Sequence, residues 1–240
     1  MIEWLLSPID PSRIHDVGAF VSWHARAMTL AWVILVPLAV FAARYLKVMP
    51  GQDWPRVLDN PFWWRLHLRA QTSVVVLSAI GLVLILAVAG QHSFHGQLGF
   101  VLLTALAVQI VLGLMRGSKG GPTAPAPDGS LRGDHYDMTR RRVIFEYLHK
   151  TLGYAMLGLS ILIIPMGLWL ANAPRWMWLL IGVWWVLLLA GAAIAQRRGL
   201  ALDTYQAIWG PDPMHPGNQR APIGWGIRRV SGKVTDVRSD

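Results

Sequence analysis

The sequence predicts an all-α membrane protein with five transmembrane helices, and three observations lead to it. Of the 240 residues, 54% are apolar and only 15% charged, where a soluble domain carries about 25% charged residues. Mean hydropathy is +0.40. Five stretches are long and apolar enough to cross a hydrocarbon layer about 30 Å thick, which takes roughly 20 residues each.

The first span runs from about Val17 to Tyr45, with His24 and Arg26 near its start and Pro37 inside it, as membrane helices tolerate when neighbours satisfy the freed carbonyl. A polar loop from Lys47 to Pro61 follows. The second span starts near Trp63 and continues through the run Thr72 to Gly90, and the third extends from about His95 to Met115. Between Arg116 and Arg142 the chain is rich in Gly, Pro and charge and is expected to be a loop. The fourth span covers about Val143 to Leu170 and the fifth about Trp176 to Ala195. Residues 1–195 thus form the membrane domain and 196–240 a polar tail with Pro211, Pro213, Pro216 and Pro222. Its stretch Asp203 to Pro211 mixes aromatic residues with turn formers and is expected to be ordered. Trp63, Trp64, Trp169, Trp176 and Trp178 fall at span ends, where an amphipathic ring suits the headgroup zone.

The net charge of +9 is a topology signal and not a nucleic-acid footprint. Five spans put the N-terminus and the fourth-to-fifth turn on one face and the two long loops and the tail on the other. The second face holds nearly all the basic residues, among them Arg44, Lys47, Arg116, Lys119, Arg132, Arg142, Arg228 and Lys233. The expectation is a bacterial inner membrane with the N-terminus outside and the tail cytoplasmic. Glu3 and the absence of a basic n-region speak against a cleaved signal peptide.

Cysteine is absent, which excludes disulfides, iron–sulfur clusters and covalent c-type haem. Histidine occurs eight times and is the available metal ligand. His24, His67, His95 and His149 occur one per helix on the first four spans, each near the N-terminal end of its helix. Because consecutive helices alternate in direction, His24 and His95 fall at one depth, toward the outside, and His67 and His149 at the other, toward the cytoplasm. Each pair can offer two neutral imidazole nitrogens to one iron, so the four-helix bundle is expected to bind two b-type haems and to pass electrons across the membrane. No Asp or Glu accompanies either pair as a zinc site would favour, Glu146 being a partner to His149 at most. Gly99 and Gly153 stand four residues after His95 and His149, on the ligand's own face, leaving room for a macrocycle. Arg26, Arg69 and Lys150 flank ligands and are candidate partners of haem propionates or of lipid phosphates. His92 is a rival to His95, while His15, His135 and His215 lie in loops and are expected to be solvated.

Residues 17 to 195 resemble the cytochrome b561 and ferric-reductase transmembrane family in its bacterial dihaem form. The resemblance rests on His24 with Met28 and Ala43-Arg44-Tyr45, on Trp64-Arg65-Leu66-His67 with Gln71, on His95-Gly96-Gln97-Leu98-Gly99, and on His149-Lys150-Thr151-Leu152-Gly153-Tyr154. It implies two non-covalent haems, one on His24 and His95 and the other on His67 and His149, with a quinol or another small reductant on one side and ferric iron or a redox protein on the other. Five spans, without a basic cluster on a sixth, separate the chain from the ascorbate-dependent animal and plant members. Three readings follow: a self-sufficient transmembrane electron carrier, the haem-bearing anchor subunit of a larger oxidoreductase, and a colourless histidine-based transporter.

Overall fold

A computed structural model describes residues 1–88, 93–116, 126, 128–131 and 136–231. Among these residues the secondary structure is helical, with two isolated bridges and no strand. Five helices are long and apolar enough to cross a membrane: Gly18–Tyr45, Phe62–Leu86, Phe94–Met115, Arg140–Leu170 and Arg175–Arg197. The all-α, five-span expectation holds, with ends within a few residues of those read from the sequence. His92, His135, Lys119, Arg132, Lys233 and most of the loop after the third span lie outside the described residues.

The first span is not uniformly α-helical. Residues Thr29–Leu35 form a π-helical segment ahead of Pro37. A proline cannot donate to the carbonyl four residues back and crowds it, and a wider turn relieves that crowding. The freed carbonyl belongs to Val33, and the Trp184 indole N–H of the fifth span donates to it at 2.7 Å. Fully buried Trp32 lies in the same segment and donates to the Ser78 hydroxyl at 3.1 Å, joining the first span to the second.

Ala31, Trp32, Val33, Val36, Val74, Leu102, Leu106, Met156, Ile163, Ile164 and Ile181 form the central core of the bundle. The outward faces carry exposed large apolar side chains such as Val83, Leu114, Leu162 and Leu189, which no soluble protein would leave in water in such number. The chain is a multi-pass membrane protein.

Each end of the bundle is closed by an extra segment. At one end a short helix, Ile2–Leu6, and the residues after it pack on the fourth-to-fifth turn. Arg175 donates from its backbone to the Ser7 carbonyl at 3.1 Å, and the Asn172 amide donates to the carbonyls of Asp10 and Arg13. At the other end the tail folds back over the bundle. Its helix Thr204–Trp209 is buried along its whole length, capped by the Asp203 carboxylate, which accepts from the backbone of Tyr205 and Gln206.

Candidate cofactor site

Three of the four span histidines are held by a neighbouring helix through Nδ1. His24 donates to the Gly81 carbonyl at 2.8 Å, His67 to the Ala39 carbonyl at 3.2 Å, and His95 to the Ile163 carbonyl at 3.2 Å. A carbonyl only accepts, so each of these rings carries a proton on Nδ1, and the neutral ring then leaves Nε2 free as a ligand. The register repeats: His67 and Gly81 are fourteen residues apart on the second span, as are His149 and Ile163 on the fourth. Fourteen residues make about four helical turns and about 21 Å, so ring and carbonyl share a face at two depths.

The same spacing on the third span separates His95 from Gln109, whose side-chain N–H donates to the His149 carbonyl at 2.8 Å. The first and second spans are thus tied at both depths, and so are the third and fourth. Across the bundle His67 comes against His149, and His24 lies toward His95. The rings of His67 and His149 have centroids 6.3 Å apart with planes at 65°. Two metal–nitrogen bonds of about 2 Å each plus the imidazole half-widths span a similar length. His24 and His95 lie within electrostatic reach of one another at the opposite end.

Among the described residues no group of three or more His, Asp or Glu side chains converges as a metal site. The span histidines lie in twos, an arrangement with room for a planar group between facing rings. His149 differs from the others: its Nδ1 is buried without a hydrogen-bond partner, as is the Gln109 side-chain oxygen beside it. Orphaned polar atoms in a packed interior call for a partner.

The flanking residues divide. A Cβ on Gly99 would meet no atom within 4 Å, so space is open beside it, whereas a Cβ on Gly153 would stand 3.3 Å from the Gln109 amide nitrogen. Arg26 is exposed, laid on the Trp23 ring at 4.9 Å and bonded to the Ser22 hydroxyl, and Arg69 is exposed as well. Lys150 is engaged, with Nζ 2.8 Å from Glu146 Oε2 and donating to the Ile223 carbonyl at 2.9 Å. The sequence reading missed Gly81 and Gly167, the latter because it marks no ligand: a Cβ there would come within 3.0 Å of the His95 ring. It missed Gln109 too, although the spacing of fourteen from His95 is a signal for it.

An apolar cleft of ≈ 370 Å³ opens beside His95, lined by Phe94, Pro165, Met166, Trp169 and Trp178, with the Trp178 N–H buried and unpaired. At the tail end the surroundings of His67 and His149 are charged and closed. Glu146, one turn before His149 and 5% exposed, accepts the Tyr205 hydroxyl at 2.5 Å. Burial first, and then the charge of Glu146, push the Tyr205 phenol well above its usual range, so it stays a proton donor. Lys47, 3% exposed, donates to the Leu202 carbonyl at 2.9 Å, and burial lowers its ammonium to about 7. His215 corrects an expectation. It is 5% exposed and not solvated, stacked on Trp209 at 4.3 Å, and its Nδ1 accepts the Gly217 backbone N–H at 3.1 Å. The tail supplies an aromatic shelf that a loop reading could not foresee.

No family model matches the chain, and no solved structure matches it. Curated relatives do. A cytochrome b561, DM13 and DOMON domain-containing protein of Arabidopsis thaliana is 27% identical over 64% of this chain and 15% of its own length. A cytochrome b561 and DOMON domain-containing protein of the same plant is 25% identical over 60% of the chain and 31% of its own length. A protein named putative ferric-chelate reductase 1, from Xenopus laevis, is 26% identical over 58% and 22% respectively. These likenesses support the cytochrome b561 family broadly. The chain spans less than a third of the length of each of these relatives.

Proposed function

We propose that this chain carries electrons across a membrane, with His24 and His95 holding one b-type haem and His67 and His149 a second. The observation that carries the reading is the arrangement of the histidines: two cross-bundle pairs, about four turns apart, with three of the four rings fixed as Nδ1–H tautomers by carbonyls of a neighbouring helix. A haem held between two imidazoles supplies a one-electron couple without an open coordination position. The carbonyls of Gly81, Ala39 and Ile163 raise the basicity of the rings that donate to them and hold their planes. Trp32, Val74, Leu102, Leu106 and Met156 keep water out of the layer between the pairs, where a low dielectric sharpens every charge interaction.

The relatives named cytochrome b561 and ferric-chelate reductase support the same chemistry. The apolar cleft at His95, with the Trp178 N–H as a spare donor, suits a membrane-soluble quinol as reductant. The gathering of Arg44, Lys47, Arg116, Arg142 and the tail arginines at the other end supports a cytoplasmic tail and an outside N-terminus in a bacterial inner membrane. The acceptor is ferric iron or a redox protein. An anchor-subunit role is a second reading, favoured by relatives of which this chain covers 15% and 31% and whose names join cytochrome b561 to DOMON domains.

Reduced-minus-oxidised spectra of the purified protein test the proposal. The expected result is low-spin b haem, two per chain, reduced by quinol, with His149→Ala or His67→Ala removing one couple and His24→Ala or His95→Ala the other. A colourless protein from haem-replete cells overturns it. A soluble protein that co-purifies and is needed for turnover decides for the anchor subunit.

A further inference from the structure

Arg116 closes the third span and is 6% exposed. Its guanidinium lies 4.7 Å over the Trp64 ring, and its backbone carbonyl accepts Arg142 Nη1–H at 2.7 Å. Its own Nη1 is buried without a hydrogen-bond partner. The group is within electrostatic reach of His67, His149 and Glu146. Glu146 is already occupied, with one oxygen on Lys150 and the other on Tyr205. Among the described residues no carboxylate lies within ion-pair distance of Arg116. A guanidinium withdrawn from water with a spare N–H and no carboxylate at ion-pair distance is costly, and an aromatic face offsets only part of that cost. Such a group is stable when an anion completes it.

We propose that Arg116 binds a carboxylate, a propionate of the haem held by His67 and His149. The inference rests on the haem reading above. A guanidinium presents a planar fork of N–H donors that matches the two oxygens of a carboxylate, and a lysine at the same place would offer only a point charge. The residues that flank the ligands in sequence are placed otherwise: Arg26 lies on Trp23 and Lys150 on Glu146. By neutralising a negative charge near the iron, Arg116 raises the potential of the tail-side couple and leaves the other couple alone.

The test is a redox titration of the full-length haem-loaded protein, with the tail-side couple assigned as the one missing in His149→Ala, together with the propionate-bending band in resonance Raman spectra. Arg116→Gln is expected to move that band and to lower the tail-side couple by a tenfold change in the oxidised-to-reduced ratio, 59 mV for one electron. The other couple should stay in place. Arg116→Lys should move the band but recover most of the potential, and it carries the test alone if the Gln variant does not accumulate. An unmoved band in either variant, or equal potential shifts for Gln and Lys, overturns the proposal. Millimolar citrate should change nothing in the wild type. A citrate-dependent shift that Arg116→Gln abolishes assigns the site to a soluble carboxylate and overturns the propionate. A wild type without haem fails earlier, on the parent reading.

Discussion

Two glycines lie close to the histidine network, and they differ in what stands next to them. A Cβ on Gly167 would press on the His95 ring at 3.0 Å, and the ring is held by its bond to the Ile163 carbonyl and by the cleft wall. A Cβ on Gly81 would meet Met28 Cε at 2.5 Å, the free end of a flexible side chain. Gly167→Ala is therefore expected to tilt His95 and to shift or bleach the couple of the His24 and His95 pair. Gly81→Ala should leave both couples intact and, since alanine is the better helix former, stabilise the span by up to about 1 kcal/mol. Spectra and thermal inactivation of the two variants check the contrast. Gln109 offers a third residue-scale prediction: Gln109→Leu removes the donor to the His149 carbonyl and is expected to cost about 1 kcal/mol, with a disturbed tail-side couple. The four histidines were legible in the sequence because a polar side chain in a membrane span stands out against its neighbours. Gly81, Gly167 and Gln109 were not, because a small residue or a glutamine takes its meaning from the helix opposite.

At the scale of the element, the first span and the tail carry the lesson. Pro37 in an apolar run signals that a carbonyl must find another donor, and the span boundaries are legible because apolar length is a local property of the chain. The π-helical segment Thr29–Leu35 and the choice of Trp184 as donor come from how the fifth span packs. Trp184→Phe keeps the apolar bulk and strands the Val33 carbonyl in a layer without water. It should lower thermal stability by about 1–3 kcal/mol in detergent or lipid. In the tail, Gly217 sits where a Cβ would strike the Trp209 ring at 2.2 Å and the Tyr136 carbonyl at 2.5 Å. Gly217→Ala is expected to loosen the shelf formed by Tyr205, Trp209 and His215, seen as faster proteolysis within 200–230 while the spans stay protected.

For the whole molecule, the tail and the bundle are joined by buried polar contacts, and one of these is sensitive to pH. Lys47 falls from its ordinary 10.5 to about 7, chiefly through burial, with Lys150 and Arg44 lowering it further and Asp203 and Glu146 opposing. Between those values the docked protein holds Lys47 neutral while an undocked tail lets it bind a proton. The undocked state then binds more protons, so docking strengthens as pH rises from about 7 toward 10.5. The protection factor of the helix Thr204–Trp209, the base-catalysed intrinsic rate divided by its observed exchange rate, should rise across that window, and Lys47→Met should flatten the rise. An unchanged slope in the variant would show that another group governs docking.

The sequence by itself determined that five helices are long and apolar enough to cross a membrane, to within a few residues where each begins and ends, and that four histidines fall at two depths. Apolar length and alternating helix direction are properties of the chain taken in order, and no packing detail changes them. Only the tertiary structure decided that three of the histidine rings are tied to carbonyls of a neighbouring span, that His215 is buried under Trp209, and that Arg116 is buried with no carboxylate of the described residues at ion-pair distance. These depend on which side chains meet across helices and on how much water the folded tail leaves between them, and neither is written in the local spacing of residues.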